Sequence, residues 1–199
     1  MRALATSRVE GEAIRFVICG QAAFLATILA CCAIEPSWPA IQTGLSYYGN
    51  DMTTIPPYVA GFVTSIGLTA AGLRRLPGSA RRVRRFRTGV ALILALMVPI
   101  PLTPYRADVI VDWLHYAAAG TLFTAGLVLG GWLVFHCVGD RASACLFGAQ
   151  ILAGAAVVSA QAGLNDFMLP SELAFQLVLV ALVVHAIRVL SSSEEPGCA

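Results

Sequence analysis

Long apolar runs alternate with short polar breaks along this chain, and the runs have the length of membrane helices rather than of strands. They cover residues 14–34, 58–73, 88–102, 109–134, 142–164 and 173–190. At a rise of ~1.5 Å per residue, about 20 residues cross the ~30 Å hydrocarbon core of a bilayer. The pattern predicts an all-α fold: a polytopic transmembrane helical bundle of six spans, forming a single membrane domain over 1–199. The first run is too long for the apolar region of a cleaved signal peptide, and no clear A-x-A site follows it. It is therefore read as a retained span.

The breaks carry turn chemistry. The longest connection, 35–57, holds Gly44, the Gly49-Asn50-Asp51 run and the Pro56-Pro57 pair. Its Trp38, Tyr47 and Tyr48 suit the water–lipid boundary, where amphipathic rings settle. Pro99, Pro101 and Pro104 end the third run, and a broken helix in a membrane survives where it is buried or lines a cavity. Gly61, Gly67 and Gly72 in the second run, and Gly126-x-x-x-Gly130 in the fourth, permit close helix approach.

Composition agrees with a membrane class. Hydrophobic residues make up 58% of the chain and charged residues 12%, with a mean hydropathy of +0.77. Soluble domains carry about 25% charged residues. All thirteen basic residues are arginines, and seven of them crowd into residues 74–87. That run would suit nucleic acid or anionic lipid, but a cytoplasmic positive-inside anchor explains it more simply. With it inside, both termini are cytoplasmic and twelve of the thirteen arginines fall at inner ends, leaving Arg106 outside. The expected location is the bacterial cytoplasmic (inner) membrane, multi-pass. The six cysteines show neither a C-x-x-C pair nor metal-ligand spacing, and most read as small packing residues.

The same topology gathers acids at the outer face: Glu35, Asp51, Asp108, Asp112, Asp166 and Glu172. Asp108, Asp112 and His115 recur at i, i+4 and i+7, so a helix lines them up on one face. A carboxylate pair in such a setting can hold a proton and deliver it as an acid. Intramembrane titratable groups are costly and usually functional. Gln161, Asn165, Asp166 and Gln176 would complete a polar pocket. The plainer alternatives stay open. Asp108 and Asp112 also suit a helix N-terminus as favourable charges, and His115 also suits a hydrogen bond to a neighbouring helix. Arg106 would pair with Asp108 or Asp166. His136 and His185 would form a haem pair only if they faced one another.

Nucleotide loops, zinc-protease spacings, the G-x-S-x-G elbow and the D-D-x-x-D diphosphate box are all absent. No metal and no cofactor is expected, although Asp108, Asp112 and His115 offer three donors. Two resemblances follow. Leu45 to Asp51 (L-S-Y-Y-G-N-D), the proline-broken third run and Leu114 to Ala119 (L-H-Y-A-A-A) resemble small bacterial six-helix membrane proteins related to the DRAM-like family. In size and hydrophobicity the chain also resembles small integral-membrane terpene cyclases. That second likeness implies protonation of a prenyl chain by a membrane-embedded carboxylic acid, and no motif position is carried over from it.

The leading expectation is an integral membrane enzyme acting on an isoprenoid or other lipophilic substrate, of cyclase, isomerase or lyase type. Asp112 would donate the proton, aided by Asp108 and His115. Trp38, Tyr47, Tyr48, Trp113, Tyr116 and Phe123 would line the apolar cavity, with Gln161, Glu35, Asp51 and Asp166 on its polar side. Expected partners are membrane lipid and a lipophilic small molecule, not nucleic acid, with a homo-oligomer left open. The alternatives are a non-enzymatic lipid- or small-molecule-binding protein, an accessory subunit, or a proton-coupled transporter, which at six spans would need to dimerise.

Overall fold

The structure, a computed structural model, describes residues 2–76, 81–104 and 108–192. Arg106 and Cys198 lie outside the described residues, as do the side chains of Arg2 and Arg8. Among the described residues the chain is helical throughout, with no strand. In order the helices are α1 (Arg2–Ile34), α2 (Trp38–Thr43), α3 (Ile55–Arg75), α4 (Arg81–Met97), α5 (Pro99–Leu102), α6 (Val109–Trp132), α7 (Arg141–Gln161) and α8 (Met168–Ser192). A 3-10 turn at Leu45–Gly49 follows α2, and a π-helical segment at Leu133–Val138 extends α6.

Among the described residues five segments are long and apolar enough to cross a membrane: Val9–Ile34, Arg81–Leu102, Val109–Val138, Arg141–Gln161 and Met168–Ser191. The chain is thus compatible with a multi-pass membrane protein. α3 is 21 residues long but falls short in hydropathy, diluted by its Pro56-Pro57 start and by Thr64, Ser65 and Thr69. Two of these polar residues, Ser65 and Thr69, are buried, whereas Thr64 is exposed.

α1 and α3 form the most extensive helix pair, and glycines set their spacing. A Cβ on Gly20 would meet the Ser65 carbonyl at 3.1 Å, and one on Gly72 would meet the Ala13 carbonyl at 2.9 Å. Gly61 sits against Phe24 and Thr27. Residue numbers fall on one helix as they rise on the other, so the pair is antiparallel and in contact from Ala13–Gly72 to Thr27–Gly61. Glu12 and Arg75 join at 2.8 Å beyond one end of this seam, and the Arg75 guanidinium lies 4.3 Å from the Phe16 ring centre.

Several boundaries depart from the apolar runs. The arginine run is not a loop throughout: Arg81 to Arg87 form the first turns of α4, whose Val83 and Phe86 are buried. Arg87 then folds back to donate to the carbonyls of Leu73 at 2.9 Å, Arg74 at 3.3 Å and Leu76, which closes the C-terminus of α3. The fourth run continues to Val138 and stops at Gly139, whose φ of 68° is the left-handed conformation that ends helices. α8 begins at Met168, five residues before the apolar run at 173, because Pro170 falls in its first turn, where proline is tolerated.

Asp140 caps α7: its Oδ1 accepts from Ser143 N–H at 2.7 Å, and its Oδ2 lies 2.8 Å from His185 Nε2 on α8. The Ser143 N–H chiefly, and then the His185 contact, hold the Asp140 carboxyl below its ordinary value of 3.8.

Two outcomes test this packing. Gly72→Leu should cost about 1–3 kcal/mol by overpacking against the α1 backbone, read as a lower unfolding midpoint in detergent. Because the folded carboxyl is depressed, Asp140 contributes stability above pH 3.8, and that contribution disappears as pH falls through the lower folded value. Asp140→Asn should therefore weaken the acid-side decline in melting temperature, measured against the native chain.

Candidate functional site

Seven helices surround a cavity of about 520 Å³ towards one end of the bundle. α1 and α3 contribute Phe24 and Phe62, α4 and α5 contribute Met97 and Ile100, and α6 contributes Tyr116 and Phe123. α7 adds Val157, Val158 and Gln161, and α8 adds Met168, Glu172, Phe175 and Gln176. Leu45 and Ser46 close the end. Phe123 and Phe175 stack with centroids 4.5 Å apart, and Phe24 meets Phe62 edge-on at 5.1 Å. The lining residues that stay exposed, Tyr116, Gly120, Val158, Gln161 and Ala162, belong to α6 and α7 or directly follow α7. The cavity accordingly opens sideways between those two helices.

Among the lining residues, Glu172 alone carries a formal charge. Its Oε2 accepts the Leu45 N–H at 2.7 Å, while no described donor reaches Oε1. Gly44 makes this contact possible. Its φ of 88° and ψ of −164° lie in a region essentially reserved for glycine, and a Cβ there would stand 2.9 Å from both Glu172 Cδ and Met168 Cγ. The carboxylate of α8 thus rests against bare backbone of the connection between α1 and α3.

Two further side-chain contacts hold the same short segment. Gln42 Nε2 donates to Asp166 Oδ1 at 2.9 Å. Ser46 Oγ lies 2.6 Å from His115 Nε2, and His115 Nδ1 lies 2.7 Å from the Thr103 carbonyl. A carbonyl only accepts, so Nδ1–H donates to Thr103 and, in the neutral ring, Nε2 accepts from the Ser46 hydroxyl. The proline-rich α5 matters here because it delivers Thr103: Thr103 N–H closes on the Pro99 carbonyl at 3.0 Å. Residues 42–46 are thereby tied to α6, α8 and the loop before α8.

The expected site residues separate into three groups. Tyr116, Phe123 and Gln161 line the cavity. Asp108, Asp112 and His115 do not. Asp108 caps α6 by accepting from Ile110 and Val111 N–H at 2.8 and 3.0 Å, the plainer role open to it. Asp112 is half-buried one turn on, and His115 is 3% exposed and engaged as described.

The third group lies away from the cavity lining. Trp38 and Trp113 are 55% and 73% exposed, as residues facing lipid or an interface would be. Tyr48 is buried beside Cys32, with its hydroxyl 3.1 Å from Sγ. Tyr47 reaches Glu35 at 3.5 Å. Asp51 is exposed, and the Thr53 hydroxyl and N–H hold its carboxyl below the ordinary aspartate value. His136 stacks on Trp132 while His185 contacts Asp140, so they form no facing pair. Among the described residues no group of three or more metal-ligating side chains gathers.

Glu172 is the residue that sequence reasoning passed over. Its position at the outer end was legible, but only the true start of α8 puts it inside a helix and turns it towards the cavity. Gln176, one turn further, is the signal that pointed the same way, since i and i+4 share a face.

No family model, curated protein or solved structure matches the chain. The site therefore rests on its own geometry.

Gly44→Ala should lower the unfolding midpoint in detergent by an amount equivalent to about 1–3 kcal/mol, combining backbone strain with the collision against Glu172. Gly44→Asn should rescue nothing, because this φ/ψ region excludes it as well.

Proposed function

We propose that the chain is a six-span membrane protein with both termini cytoplasmic, which takes a lipophilic small molecule into its outer cavity and transforms it by proton transfer from Glu172. The observation that carries this reading is an apolar, aromatic-lined cavity of about 520 Å³ holding one carboxyl group. Small-molecule sites commonly have ~300–1,000 Å³, a mainly apolar lining and a few convergent polar groups.

The antiparallel α1–α3 seam supports α3 as the sixth span. It runs alongside α1 through much of the apolar stretch, and its Ser65 and Thr69 side chains turn inward. The sideways opening between α6 and α7 would face hydrocarbon, giving a membrane-dissolved molecule a route in without crossing water. The acid of this reading is Glu172 rather than Asp112, because Glu172 is the carboxyl that lines the cavity.

The reaction class is acid-initiated isomerisation or cyclisation of an alkene-bearing isoprenoid. The Glu172 proton goes to an alkene carbon, and the π electron pair forms the new C–H bond. The cation left on the neighbouring carbon is held by ring faces until it loses a proton, and that proton restores the carboxyl.

Membranes carrying the protein, incubated with geranylgeraniol in deuterated water, should produce isomers bearing carbon-bound deuterium, detected by mass spectrometry. Glu172→Gln should reduce that product by at least about a hundredfold, while Asp112→Asn should retain most of it. Unchanged product from Glu172→Gln would remove Glu172 as the acid. Saturable binding of geranylgeraniol without any product would leave a non-enzymatic binding protein.

A further inference from the structure

The cavity has a charge character that bears on its ligand. Glu172 is the only formally charged residue among its described lining, and its Oε1 accepts no hydrogen bond from any described residue. Around it stand the faces and edges of Phe24, Phe62, Tyr116, Phe123 and Phe175. No arginine belongs to the described lining. A diphosphate head would thus meet a carboxylate and ring faces, with no guanidinium among the described lining residues to receive it.

We infer that the cavity selects lipophilic molecules bearing a positive centre, and rejects their phosphorylated counterparts. The inference rests on the proton-transfer reading and names its ligand class. Once Glu172 has given up its proton, a carboxylate faces a cation, so a stable ammonium in the same place reproduces that charge arrangement. A carboxylate oxygen lacking a donor makes a charge-assisted hydrogen bond with an ammonium N–H. Aromatic faces add attraction that strengthens where water is excluded. The polar side chains also lining the cavity, Ser46, Gln161 and Gln176, are neutral and oppose neither charge.

The test compares three molecules with the same polyprenyl tail: geranylgeranylamine, geranylgeraniol and geranylgeranyl diphosphate. Each is titrated against the full chain in lipid nanodiscs of neutral lipid, with saturable binding followed by the shift in melting temperature and by displacement of a radiolabelled alcohol. Empty nanodiscs correct for partitioning. The amine should bind at least about tenfold more tightly than the alcohol, and the diphosphate should not saturate. Glu172→Gln should bring the amine to the level of the alcohol while leaving the alcohol bound.

Should that variant fail to fold, Phe123→Leu provides the second arm. It removes a ring face and keeps an apolar side chain, and it should narrow the amine preference severalfold. Equal affinity of the native chain for amine and alcohol, or tight binding of the diphosphate, overturns the inference and leaves the apolar cavity intact. Failure of all three to saturate instead overturns the cavity reading beneath it.

Discussion

A carboxyl group set among apolar helices must be met by donors, by a cation or by its own proton, because nothing else there replaces the water it has lost. Among the described residues Glu172 meets a single N–H, that of Leu45, and this end of the bundle is arranged around that contact. The segment carrying Leu45 has to come close enough to touch α8, which requires Gly44 in a backbone conformation that only glycine takes readily. That approach in turn sets where Ser46 falls, and Ser46 meets His115. One ionisable group therefore determines how the connection between α1 and α3 lies across the cavity.

This arrangement gives His115 a physical role distinct from acid chemistry. A histidine with both ring nitrogens engaged, one by a carbonyl and the other by a hydroxyl, is held at a fixed orientation. It ties α6 to the end of α5 and to the capping segment at once. The prolines of α5 contribute to the same end, since the Pro99 carbonyl receives the Thr103 N–H and so presents the Thr103 carbonyl to the ring. The stretch with the densest unusual chemistry in the sequence acts as a support for the cavity, whose one charge comes from α8.

The opposite end of the bundle is ordered by arginine. Arg87 satisfies carbonyls at the end of α3, and Arg75 pairs with Glu12 on α1. Exposed ion pairs of this kind are worth little individually. Their effect is to keep guanidinium groups at helix ends, out of the apolar interior, which leaves the cavity lined by one carboxyl, neutral amides and hydroxyls, and rings.

Apolar runs, turn residues and the bias of arginine to one side were legible in the sequence because each is a local sum over neighbouring residues. Tyr116 and Phe123 were legible as aromatic lining of one span and Gln161 as a polar residue on the next, because residue type and position along an apolar run are also local. Asp112 and Glu172 could not be ranked that way. Both are acids near the start of an apolar run, and their difference lies in what faces them. Glu172 is met by a backbone N–H 127 residues earlier in the chain, beside a glycine conformation that no spacing rule records. The start of α8 was equally hidden, since Pro170 signals a break unless the helix is known to begin two residues before it. Hydropathy acts residue by residue and sets the helices; which acid lines the cavity depends on distant segments meeting, and only the packed bundle decides it.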